Sequence, residues 1–211
     1  MIIGIVTYKL LMNKLKILCL HGFRHNAEIL KREMNLTITK LNKLNVEFDF
    51  YDSPFEYTGS NYKQWWSATK EDMLTAERYD TVRESIDNLK QKWESSKYDG
   101  LLGFSQGSVL VQIFCYQIQN KLIVTYEPKF IVLASTFAIS DINYRKYYQN
   151  QLDYKAAIMI GSHDTLLDFK STLSLIKHFK NPYTIVHTGG HYFSESSESY
   201  YLLRKFLEGI C

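Results

Sequence analysis

Three residues of this chain have the types, and the order, that moving an acyl group requires. Ser105 lies in Gly103-Phe104-Ser105-Gln106-Gly107, after the apolar pair Leu101-Leu102 and before the amphipathic stretch Ser108-Val109-Leu110-Val111-Gln112-Ile113-Phe114. That is the strand, sharp turn and helix of a nucleophile elbow. Glycine at 103 and 107 removes the β-carbons that would collide with the neighbouring strand and the start of the helix. Asp164 closes Gly161-Ser162-His163-Asp164, 59 residues on, and His191 closes Gly189-Gly190-His191 after a further 27. Serine, aspartate and histidine in this chain order is the α/β-hydrolase order.

The chemistry assigns each a part. A serine hydroxyl is a weak nucleophile and must lose its proton as it attacks, so a neutral imidazole, His191, is expected to take it. Asp164, against the other ring nitrogen, would fix the tautomer and offset the transient positive charge. The oxyanion needs preorganised donors, and the backbone N–H groups of Gln106 and Phe23 are the expected pair. Asp164 has a competing reading as a helix cap, with Asp168 as the rival acid. His187 falls too early, inside a strand, and His163 reads as an exposed neighbour of Asp164. His21 reads as an organiser of the oxyanion loop, while His25 and His178 have no evident partner. Phe55, Tyr57, Trp65, Trp66, Phe137 and Tyr144 are the expected pocket or lid aromatics. Trp65 and Trp66 cannot both face one side of a regular element, so at least one is expected to line a groove or pack a lid, although core packing is the commoner fate of any tryptophan. No His/Asp/Glu group has metal-ligand spacing, so neither metal nor other cofactor is expected.

The surrounding pattern supplies the elements that would position these residues. Lys16–Leu20, 100–104, 130–134 and 156–160 are short, nearly continuous apolar runs, and Val46–Tyr51 and Tyr183–His187 are two further strand-like segments. Such runs suit strands of a parallel sheet covered on both faces. Between them lie helical spacings: Leu30, Met34, Ile38 and Leu41 after a capping Asn26, then Val82, Ile86, Leu89 and Trp93. Thr81-x-x-Glu84 reads as a capping box for the second. A helix runs from the elbow to about Gln119; Phe169, Leu173, Ile176 and Phe179 mark another, and a last one spans about 195–207. Residues 55–80 read as irregular and 135–155 as a long connection. Strands alternating with helices predict an α/β fold with about six mostly parallel strands and ligands bound beyond their carboxyl ends. Six of the ten glycines (22, 103, 107, 161, 189 and 190) fall at that edge.

A chain of 211 residues fits one domain, read as 14–211, with 1–13 as an N-terminal extension that forms an edge strand or stays disordered. A net charge of +3 with scattered Lys and Arg argues against a nucleic-acid partner. No apolar segment reaches the roughly 18 residues of a membrane span. Three widely spaced cysteines, at 19, 115 and 211, argue against a disulfide framework and suit a reducing cytoplasmic or nuclear setting.

Taken together, Leu18-Cys19-Leu20-His21-Gly22-Phe23, Gly100–Gly107, Gly161–Asp164 and His187–His191 resemble the small FSH-type serine hydrolases, the group that includes the ovarian-tumour-associated esterases. The resemblance runs from about Lys14 to the C-terminus. It implies a shortened α/β-hydrolase sheet and a carboxylesterase-type activity on small or medium acyl groups, with Ser105, Asp164 and His191 as triad. A thioesterase using the same triad, or an idle binding protein that keeps the fold, are the competing expectations. The partner implied is a small-molecule ester or thioester.

Overall fold

In the computed structural model, which describes residues 14–68 and 74–210, six parallel strands form one central sheet. The strands are β1 (Leu15–Leu20), β2 (Val46–Tyr51), β5 (Gly100–Phe104), β6 (Phe130–Ala134), β7 (Lys155–Gly161) and β8 (Tyr183–His187). They lie in the order β2-β1-β5-β6-β7-β8. Successive side chains of a strand point to opposite faces, so each apolar run feeds two cores. Leu18, Leu20, Leu101, Ile131, Leu133, Ile158 and Ile160 pack on one side, beneath α3 (Val82–Glu94), α4 (Gln106–Gln119) and α5 (Phe169–Leu175). Ile17, Cys19, Leu102, Phe104, Val132, Ala134 and Met159 pack on the other, beneath α1 (Ala27–Glu33), α2 (Asn35–Asn42) and α6 (Ser197–Glu208). Among the described residues no helix is long and apolar enough to cross a bilayer. The expected extension, residues 1–13, lies outside the described residues.

Several local expectations are corrected. The single helix after Asn26 is two, broken at Met34, whose backbone leaves helical geometry (φ −99°, ψ 11°). The break lets Leu30, Met34 and Leu41 all reach the core, and it strands amides at the start of α2. Glu195, from the far end of the chain, caps one of them by accepting from the Thr37 N–H at 2.7 Å. Thr81 precedes α3 but forms no capping box. It sits in the left-handed region (φ 64°), and its hydroxyl donates to its neighbour's carbonyl, Asp80 O, at 2.5 Å. The stretch read as irregular holds a small hairpin, β3 (Phe55–Glu56) with β4 (Lys63–Gln64). The spacing ending at Phe179 gives α5 and then a 3-10 turn over Ile176–His178.

Candidate active site

All the residues singled out for chemistry stand at the carboxyl ends of strands. β5 delivers Ser105, β7 leads into Asp164, β8 into His191, and β1 into His21-Gly22-Phe23. Ser105 occupies an unusual backbone conformation (φ 49°, ψ −118°) between strand and helix. Such a position costs about 1–3 kcal/mol and persists only where its surroundings enforce it. The enforcement is visible. The Ser105 N–H donates to Ala134 O at 2.9 Å, and the Ser108 hydroxyl reaches Ser105 O at 2.5 Å. A β-carbon on Gly103 would stand 2.4 Å from Ser108 Cα, and one on Gly107 would stand 2.5 Å from the carbonyl oxygens of Leu20 and His21. Behind the turn, Tyr148 donates to Gln112, Gln112 donates to Thr136, and Ser108 lies 2.7 Å from the Thr136 hydroxyl, a buried polar chain under the elbow.

His191 bridges the other two residues. Its Nδ1–H donates to Asp164 Oδ2 at 2.8 Å, and its Nε2 lies 2.9 Å from Ser105 Oγ, placed to accept the hydroxyl proton. The Asp164 side chain is 3% exposed, so its charge is directed at the imidazole rather than dispersed in water. The cap reading of Asp164 is corrected, because α5 is capped by Asp168 and Asp164 instead holds the turn before it. Its Oδ1 accepts from the Leu166 and Leu167 amides at 2.8 and 2.9 Å while Oδ2 faces the histidine. Asp168, the rival, is exposed and caps α5 by accepting from the Ser171 N–H at 2.8 Å. The His191 loop is held against the end of β7: the His163 N–H donates to Gly189 O, and the Gly189 N–H donates to Nδ1 of His187 at 3.1 Å.

His21 is fully buried. It stacks on Trp65, its Nδ1–H donates to Gly22 O at 2.8 Å, and its Nε2 accepts from the Ser53 N–H at 3.1 Å. Burial pushes its pKa down to about 4, so the ring stays neutral and keeps both bonds. The loop that presents the Phe23 amide is thereby tied to β2 and to the Trp65 segment. His178 stacks on Tyr148, away from the serine.

A cavity of about 380 Å³ opens beside Ser105, lined among others by Phe23, Leu74, Phe104, Phe137, Leu166 and Leu167. Of the six aromatics expected there, Phe137 alone lines it. Trp65 and Trp66 are both fully buried, so neither lines a groove and both take the core fate. They escape the one-side constraint because their segment is an irregular connection clamped between elements. The Gln106 side chain does the clamping: Oε1 accepts from the Trp65 N–H and Nε2 donates to Trp66 O, both at 2.8 Å. Phe55, Tyr57 and Tyr144 also lie off the cavity. Tyr57 packs edge-on against Phe23, and Tyr144 packs against the core beyond β6. Sequence reasoning missed the Gln106 amide, Ser53, and the Leu166-Leu167 pair. Two adjacent leucines in a polar loop, separated from Asp164 by one residue, were the available signal.

Comparison with known proteins follows the same lines. The model of a family described as "Serine hydrolase (FSH1)" matches residues 11–200. The esterase AGAP003155 of Anopheles gambiae is 32% identical over 197 residues, spanning 85% of this chain and 72% of its own. The esterase OVCA2 of Danio rerio is 24% identical over 220 residues, spanning 92% and 96%. Among solved structures, esterase PE8 superposes with a TM-score of 0.71 at 14% identity, covering 95% of this chain and 94% of its own, a likeness of fold.

Proposed function

The chain belongs to the FSH1 serine hydrolase family, whose curated relatives are esterases, and from that premise we propose that it hydrolyses carboxylic esters through Ser105, His191 and Asp164. The observation that carries the reading is the continuous relay from Asp164 Oδ2 through His191 to Ser105 Oγ, with both links under 3 Å. The Ser105 oxygen attacks the ester carbonyl carbon as its proton passes to His191 Nε2. The backbone N–H groups of Gln106, at the start of α4, and of Phe23 stabilise the oxyanion. Collapse expels the alkoxide, which leaves as alcohol by taking from His191 the proton that Ser105 gave up. A water then attacks the acyl-serine as its proton passes to the same imidazole, and His191 hands that proton to Ser105 Oγ as the acid leaves. Asp164 keeps the proton on Nδ1 throughout, so Nε2 is always the nitrogen that faces the serine. A cavity of about 380 Å³ is at the small end of ligand pockets, which favours small or medium acyl groups.

The test is covalent labelling with a fluorophosphonate. Wild-type protein is expected to label at Ser105, and Ser105→Ala is expected neither to label nor to turn over aryl esters. Equal labelling of the alanine variant, or a folded wild type that does not label, overturns the assignment.

A further inference from the structure

One polar side chain on the cavity wall has no part in the relay or the elbow. Among the described residues that line it, the wall is apolar apart from Ser105, Gln106, His191 and His25. The first three belong to the proposed chemistry or, in the Gln106 side chain, to the Trp65-Trp66 clamp. His25 stacks on Phe104 with centroids 5.5 Å apart, and Phe104 also packs against His191 at 5.4 Å, so the two imidazoles share one wall. The Nδ1 of His25 is buried and faces Oε2 of Glu33, itself buried, at 3.7 Å; neither atom has a hydrogen-bond partner among the described residues. An approach of about half an ångström would join them.

We propose that His25, backed by Glu33, is a hydrogen-bond acceptor inside the substrate cavity and selects esters that carry a hydroxyl group. A carboxylate opposite Nδ1 favours the tautomer with the proton on that nitrogen, which leaves the Nε2 lone pair free to accept on a ring that lines the cavity. Burial and the neighbouring His191 both lower the pKa of His25, in keeping with a neutral ring. The arrangement is a looser version of Asp164 behind His191: the carboxylate stands at 3.7 Å rather than 2.8 Å, and among the described residues no serine hydroxyl bonds to the ring. The donor it lacks would come from the substrate. An acceptor with an acidic group behind it welcomes an O–H and repels a carboxylate. The hydroxyl could sit on the acyl chain or on the alcohol. In an otherwise apolar cavity one such bond is worth about tenfold in kcat/KM, since its absence leaves a desolvated acceptor unpaired. The proposal rests on Ser105 being the nucleophile.

The test uses the full chain and matched substrates. One pair is the aryl esters of a straight-chain acid with and without a terminal hydroxyl. A second is the glycerol and propyl monoesters of one acid, and a third arm is an aryl half ester of a dicarboxylic acid. The hydroxylated member of at least one pair is expected to be favoured about tenfold, and the pair that responds tells which side of the ester carries the hydroxyl. His25→Phe, which keeps a ring against Phe104, is expected to bring that ratio to about one. Glu33→Gln, needed if the phenylalanine variant does not fold, is expected to reduce the ratio at least about threefold. A ratio is internal to each preparation, so a loss of folded protein does not imitate it. Wild-type ratios near one, a ratio that survives the variants, or preference for the half ester overturns the proposal. Failure of Ser105 to label with fluorophosphonate overturns the nucleophile reading instead, and the two failures are separate.

Discussion

Asp164 divides its two oxygens between two tasks, and that division predicts how its replacement behaves. Oδ2 fixes the His191 tautomer, while Oδ1 holds the turn at Leu166 and Leu167. Asp164→Asn leaves the turn an acceptor but lets the imidazole adopt the wrong tautomer, so kcat is expected to fall about 10⁴-fold with little change in fold. Asp168→Asn, exposed and outside the relay, should leave kcat essentially unchanged; a comparable loss there would make Asp168 the acid. His21 carries a prediction about pH. Its folded pKa of about 4 lies below the reference 6.5, so between those values the unfolded chain binds more protons than the folded one. Stability therefore rises with pH across that window and is lost as pH falls through it, by roughly 3 kcal/mol from this residue. Burial also lowers His25, His178 and His187, which adds slope of the same sign. Denaturant unfolding at several pH values checks this: His21→Asn should show a shallower rise between pH 4 and 6.5, and an unchanged slope would remove His21 as its source.

Between the elements, the elbow and the Trp65-Trp66 segment depend on each other. Gln106 satisfies one buried N–H and one buried carbonyl of that segment while its own backbone opens α4. Gln106→Ala would leave both groups unpaired and is expected to cost roughly 2–4 kcal/mol in denaturant unfolding. Ester hydrolysis by the surviving folded fraction should drop less, because the backbone N–H remains. If stability were untouched and activity abolished, the amide would have to act on substrate instead. Gly107→Ala meets backbone rather than flexible side chain, at 2.5 Å from two carbonyl oxygens. It should destabilise by more than about 3 kcal/mol, as core overpacking against rigid atoms does.

For the whole molecule, one sheet shared by two apolar layers predicts one cooperative unit. Trp65, Trp66 and Trp93 are all fully buried, so iodide should barely quench the native fluorescence, and fluorescence and circular-dichroism unfolding should coincide. An early fluorescence transition would mean that the Trp65-Trp66 segment opens on its own. The sequence by itself determined what is local and periodic. Continuous apolar runs such as Phe130–Ala134 marked the six strands, and glycines at strand ends marked the edge where Ser105, Asp164 and His191 stand. Capping and pocket lining were less legible. A Thr-x-x-Glu spacing cannot reveal that Thr81 takes a left-handed backbone, and aromatic side chains advertise burial as readily as binding. Only the tertiary structure decided that Trp65 and Trp66 go inward, that Leu74, Leu166 and Leu167 wall the cavity instead, and that His25 meets Glu33. Those outcomes rest on which surfaces distant segments bring together, and a one-dimensional period carries no record of that.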